Sequence, residues 1–156
     1  MKKTLILLVA VMLPALAATG AEWRVQDADY QTLGYVNADG EVLDTGYQII
    51  GYLESDLVKN SDFNILARLE QGEDIMVKNP SFVTQYYIEL GEGGTGRLKD
   101  RRFNILARYE SGRISSADDA ILAYYDYDNP DTPGTVEGMG GEEALLFLLY
   151  FSELFD

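Results

Sequence analysis

Phe63-Asn64-Ile65-Leu66-Ala67-Arg68 returns 40 residues later as Phe103-Asn104-Ile105-Leu106-Ala107-Arg108. Both copies continue with a large apolar residue, Glu, a polar residue and Gly: Leu69-Glu70-Gln71-Gly72 and Tyr109-Glu110-Ser111-Gly112. A duplication of this kind marks a chain built from internal repeats, and the fold follows from what one unit can form. Looser copies flank the pair. Asp29 to Val36 opens one, Asp44 to Leu53 another, and Asp119 to Tyr125 the last. The anchors Leu33, Ile50 and Leu66 are spaced by 17 and 16 residues, and Leu106 and Leu122 by 16.

Each unit reads as two short strands. The first carries the anchor, and the second carries one apolar residue eight or nine positions on: Val42, Val58, Ile75 or Ile114. Turn residues such as Ala38-Asp39-Gly40 and Ser111-Gly112 separate them, and Asp-Gly between apolar runs is a strong hairpin signal. A unit of this length has no room for a crossover helix, so the sheet must be antiparallel or solenoid-like. The position after the anchor is always small: Gly34, Gly51, Ala67, Ala107 and Ala123. Alternation puts it on the face opposite the anchor, between larger residues. A small residue at one phase in every unit predicts crowding, with strands converging on an axis or on a common plug. The stretch from Lys78 to Lys99 matches this pattern poorly. Phe82 to Leu90 reads as one longer strand and Gly91 to Gly96 as a loop, either a sixth unit or an insertion.

The tail differs in kind. From Glu142 to Phe155 it is nearly all apolar, opens on two acids that favour a helix N-terminus, and shows no strand alternation. A short segment apolar all round is expected to be buried on all sides, here as a helix filling the centre of a ring of hairpins. Docking on a partner or a second copy is a second reading, and weak anchoring to a membrane a third, for which the tail lacks the basic flank that interfacial helices usually carry. The predicted class is therefore all-β: five or six hairpins between residues 27 and 137, in a closed or nearly closed ring plugged by the segment 142–155.

Met1-Lys2-Lys3, the apolar run Leu5 to Leu13, and the small residues through Ala21 form the three regions of a secretory signal peptide in order. The expected arrangement is a leader at 1–21 and a single domain at 22–156, exported to the periplasm or cell surface of a Gram-negative bacterium. The chain has no Cys and no His. Disulfides, thiol nucleophiles, imidazole metal ligands and Ser-His-Asp triads are thereby excluded. After removal of Lys2 and Lys3, 10 basic residues face 26 acidic ones. That balance repels phosphate backbones, so no nucleic-acid partner is expected. No membrane span is expected in the mature chain either, because the apolar tail is short for one.

The stretch Asp29 to Val42, with an Asp four positions before Leu33-Gly34-Tyr35-Val36 and an Asp39-Gly40 turn before Val42, resembles the repeat of the five-fold β-flower proteins, small exported bacterial proteins. The Asp44 unit continues it through Ile50-Gly51-Tyr52. The leader and the apolar end after a Gly-rich stretch also match. The resemblance covers most of the mature chain and implies hairpins packed about a pseudo-five-fold axis, with no established activity. Later units depart from it, replacing Gly-Tyr by Ala-Arg or Ala-Tyr.

Candidate site residues follow from the repeat phase. Tyr35, Tyr52 and Tyr124 lie on the anchor face two residues beyond the anchor, and Arg68 and Arg108 hold the same phase in other units. Tyr and Arg together on one surface are typical contact residues, for protein or for glycan. Asp126, Asp128, Asn129 and Asp131 offer closely spaced oxygens of the kind calcium takes, without the Gly and Glu that complete an EF-hand loop; a turn rich in Asp and Pro is the plainer reading. The functional expectation is a non-catalytic structural or binding module contacting an envelope protein or glycan, without a cofactor, oligomerisation being compatible with it. The alternative is a carbohydrate-active enzyme or accessory subunit using paired carboxylates.

Overall fold

The computed structural model describes residues 22–127 and 138–156. Twelve strands run in chain order: β1 (Glu22–Asp27), β2 (Thr32–Asn37), β3 (Glu41–Leu43), β4 (Ile49–Leu53), β5 (Leu57–Asn60), β6 (Ile65–Glu70), β7 (Asp74–Lys78), β8 (Thr84–Leu90), β9 (Gly96–Asp100), β10 (Ile105–Glu110), β11 (Arg113–Ser116) and β12 (Ile121–Tyr125). One helix, α1 (Gly141–Phe151), follows. Every strand pairs antiparallel with its sequence neighbours, and β12 returns to β1 through Val25↔Tyr125, Gln26↔Tyr124 and Asp27↔Ala123. The sheet is a closed up-and-down barrel without an open edge.

One turn is used six times. It joins β1–β2, β3–β4, β5–β6, β7–β8, β9–β10 and β11–β12. Its first residue is Asp27, Asp44, Asn60, Asn79, Asp100 or Ser116. In each copy the backbone N–H of that residue donates to the carbonyl four positions on, and the N–H three positions on donates back to it. The side chain completes the loop. Oδ1 of Asp44, for example, accepts from the N–H groups of Gly46 at 2.8 Å and Gln48 at 3.0 Å. A short Asx side chain substitutes for backbone partners that the turn leaves unpaired. Beside each copy the strand register slips by a bulge, for instance between Val42 and Leu43 and between Val77 and Lys78. Bulges add local twist and bend the strand, so six at one level help curl the sheet to closure. The segment Asn79 to Val83 carries the turn in full, so the region that matched the repeat poorly in sequence supplies one of the six copies. Six copies, not five, is where the backbone departs from the five-fold arrangement that the resemblance implies.

The hairpins at the other end turn differently. Ser111 and Gly112 both have positive φ, 48° and 83°, which matches the right-handed twist of the flanking strands.

Alternation assigns the two faces. Val25, Val42, Val58, Ala67, Val77, Ile88, Leu98, Ala107, Ile114 and Ala123 are fully buried and point inward. The anchors Leu33, Ile50, Leu66, Leu106 and Leu122 are half-buried on the outer face and pack against the rim of that core. The small-residue face is thus the inner one. Ala144, Leu145, Phe147 and Leu148 of α1 belong to the same continuous core, again with no exposure. A Cβ on Gly34 would touch the Phe147 ring, and one on Gly51 would overlap the Phe151 ring. Glu143, in the first turn of α1, reaches back to accept from the Gly140 N–H at 2.9 Å.

No helix among the described residues is long and apolar enough to cross a membrane. The strands have three to seven residues, short of the roughly nine to eleven that a membrane-spanning strand needs.

Candidate functional site

The fourth residue of each six-fold turn sits in the left-handed region, at φ between 61° and 66°: Tyr30, Tyr47, Phe63, Phe82, Phe103 and Asp119. Bulky residues are rare there, because Cβ crowds the following carbonyl at a cost of about 1–2 kcal/mol. Five of these positions nevertheless carry an aromatic ring, and each ring is 59% to 66% exposed.

Every one of the six lies against a residue of a neighbouring even-numbered strand. Tyr30 stacks on Tyr124 at 4.6 Å, Tyr47 on Tyr35 at 4.8 Å, Phe63 on Tyr52 at 4.8 Å and Phe103 on Tyr87 at 4.7 Å, ring centre to ring centre. The Arg68 guanidinium lies 4.4 Å from the centre of the Phe82 ring. In the remaining unit Arg108 meets the Asp119 carboxylate at 3.1 Å. The result is a belt of six pairs around the barrel wall, each joining the turn of one hairpin to a strand of another. Tyr47 also donates its hydroxyl to that of Tyr35 at 3.3 Å, a bond that raises the Tyr47 pKa above the usual tyrosine range. Tyr30 has the same effect on Tyr124.

All five sequence-predicted contact residues, Tyr35, Tyr52, Arg68, Arg108 and Tyr124, thus fall in one structural class, and Tyr87 joins them. They are the inner members of the pairs, covered by the turn residue. The layer that meets solvent is Tyr30, Tyr47, Phe63, Phe82 and Phe103, which the reading of repeat phase passed over. A signal for them existed: an aromatic five positions before Tyr35, Tyr52, Arg68, Tyr87 and Arg108 alike.

Asp126 does not stand free as a ligand. Its Oδ2 accepts from the Arg24 N–H at 2.9 Å, and its own N–H donates to the Arg24 carbonyl at 3.0 Å. It therefore ties the end of β12 to β1. Asp128, Asn129 and Asp131, like the leader at 1–21, lie outside the described residues.

Carboxylates also gather at the N-terminal end of α1. Two cavities of about 350 and 320 Å³ share Leu53, Glu54, Ser55 and Glu143. Burial raises the Glu143 pKa, against the Gly140 N–H bond that lowers it. Glu54 is held by Lys59 at 2.7 Å. Beside them Tyr109 is almost fully buried, and its pKa is pushed up by burial first and by Glu142 second. Of the acids that line both cavities, Glu54 is thus engaged by Lys59 and Glu143 by the Gly140 N–H.

In comparisons with known proteins, no family model, no curated protein and no solved structure matches the chain.

Proposed function

We propose that this chain is an exported, non-catalytic binding module whose belt of turn-borne aromatics contacts a glycan or protein of the bacterial envelope. The observation that carries the reading is the left-handed backbone beneath five exposed rings. Gly or Asn would fill that position at lower cost. Strain held at exposed sites points to a use for the side chain that bears it. Stacking on the inner partner offsets part of the cost, about 0.5–1.5 kcal/mol per pair, and fixes the ring orientation. A rigid ring with one open face is the element that sugar and protein contacts exploit, since little rotamer freedom is lost on binding.

The helix α1 fits this reading as the plug of the barrel. Its apolar side chains share the core with the inward strand residues, and Gly34 and Gly51 leave space where Phe147 and Phe151 press. A filled interior leaves the outer wall and the rims for recognition. The β-flower likeness is compatible with such a scaffold, in a six-unit form.

The test is binding of the purified 22–156 chain to isolated envelope fractions. The triple variant F63G/F82G/F103G removes three rings while relieving the turn backbone. Loss of at least about tenfold in affinity, equivalent to about 1.4 kcal/mol, with folding retained is the expected result. Unchanged binding would sink the proposal.

A further inference from the structure

The belt is not uniform in charge. Of the ten basic residues after position 21, nine lie between Lys59 and Arg113, on β5 to β11 and the β9–β10 turn; Arg24 is the other. The same stretch holds eight acids, so this part of the wall is close to neutral while the rest of the chain after position 21 carries 18 acids against one base. The local asymmetry is sharpest at the outer face of β9 and β10. There Arg97 stands directly opposite Arg108 in the cross-strand register. Like charges in opposed positions destabilise a sheet. The pair is held by flanking acids, Glu89 at 3.6 Å from Arg97 and Asp119 at 3.1 Å from Arg108. Two depressions, of about 250 and 260 Å³, lie on either side of β10 and share Arg108, Tyr109 and Glu110. Arg97 lines the first and Arg113 the second. Tyr87, two residues along β8 from Glu89, carries the stacked Phe103.

From this arrangement we infer that the β8–β11 sector binds an acidic glycan, a uronate carboxylate seating between Arg97 and Arg108 while a sugar ring lies on Phe103. The inference rests on the belt reading and adds the ligand class to it. Guanidinium groups present planar, paired donors that match a carboxylate in two-point geometry, and a repulsive Arg–Arg pair gains when an anion enters between them. The net negative charge elsewhere on the chain confines an anionic chain to this sector. An anionic patch on a protein would meet the same arginines but would not need the open ring of Phe103.

A matched pair of probes separates charge from stacking: an oligogalacturonate and the same oligosaccharide as its methyl ester, titrated calorimetrically against the 22–156 chain. The acid should bind at least about tenfold more tightly than the ester, because only the free carboxylate can accept charge-assisted hydrogen bonds. R97Q/R108Q should abolish that preference. F103G should weaken both probes, and R24Q, outside the sector, neither. Equal affinity for acid and ester, or an acid preference that survives R97Q/R108Q, overturns the inference and leaves the aromatic belt standing. Binding of neither probe also overturns it, and the belt is then judged separately by the envelope assay with F63G/F82G/F103G. Retained melting temperature of R97Q/R108Q confirms that a loss is not unfolding.

Discussion

Phe63 offers the cleanest separation of turn strain from stacking. Its ring is 64% exposed, so about a third of its surface is covered. For a ring that buries about 200 Å² in full, that is about 70 Å² and about 1.8 kcal/mol. Stacking on Tyr52 at 4.8 Å and 15° adds about 0.5–1.5 kcal/mol. Phe63→Ala loses both and keeps the left-handed backbone at φ 63°, so it should destabilise by about 2–3 kcal/mol. Phe63→Gly loses the same contacts but relieves about 1 kcal/mol of backbone strain. The Gly variant should therefore be the more stable of the two by about 1 kcal/mol, or about 3–4 °C in melting temperature for a chain of this length. That order is the reverse of the usual one in regular structure, where Gly is worse than Ala. Urea titrations of wild type and both variants give the answer. If Ala equals or exceeds Gly, the turn is not left-handed at position 63. If neither differs from wild type, the stacked pair contributes nothing to stability and the argument from offset strain fails.

Phe147→Ala, in the fully buried part of α1, should cost about 3–5 kcal/mol, and Leu154→Ala, beyond the helix and partly exposed, about 1–2 kcal/mol; similar costs for both would contradict the packing of the Phe147 ring in the core. Gly51→Ala forces a methyl into the Phe151 ring and the Lys59 carbonyl, and the overpacking should cost about 1–3 kcal/mol by thermal unfolding. Asp44→Ala removes two side-chain bonds from one turn and should cost about 1–2 kcal/mol in urea. For Glu143 burial is the dominant effect and raises the pKa above the ordinary 4.5. The folded state then holds more protons than the unfolded one between those two values, so this residue's contribution to stability falls as pH rises through that window. Glu143→Gln, which keeps an acceptor for Gly140, should match wild type below about pH 4.5 and exceed it at neutral pH; a urea midpoint lower than wild type at pH 7 would contradict the buried-carboxyl assignment.

Much of the fold was legible because it depends on period and size. The duplicated Phe63–Gly72 and Phe103–Gly112 stretches, the small residue after each anchor, and the apolar tail carry the information for short antiparallel hairpins, a crowded inner face and a buried helix. What escaped was the turn. Asp27, Asp44, Asn60, Asn79, Asp100 and Ser116 use a side chain shared by several residue types, so the motif survives changes of identity that hide it from a search for matching letters. The same holds for residues 79–83, where Asn-Pro-Ser-Phe-Val preserves the geometry with little of the spelling. Tyr35, Tyr52, Arg68, Arg108 and Tyr124 were recognisable by phase, but not their partners. Those partners sit in turns, where an aromatic such as Phe82 looks in sequence like the beginning of a strand rather than a residue held at positive φ.

The two kinds of asymmetry in the barrel have different origins, and the contrast bears on function. On the proposed reading of α1 as a plug, a single helix cannot present the same surface to six hairpins, so the inner positions must differ. Gly34 and Gly51 stand where Phe147 and Phe151 press, Ala67, Ala107 and Ala123 elsewhere, and Tyr86 takes the equivalent place in β8, near Tyr150. Packing against α1 explains that variation at Gly34 and Gly51. No such pressure acts on the outer wall, where all six units share one turn and one bulge. A scaffold selected only for stability would repeat its best pair six times and would not oppose Arg97 to Arg108. That the exterior changes from Tyr–Tyr and Tyr–Phe to Arg–Phe and Arg–Asp, with nine cations between Lys59 and Arg113, is variation that the core does not require, and the proposed ligand with an uneven distribution of charge would account for it.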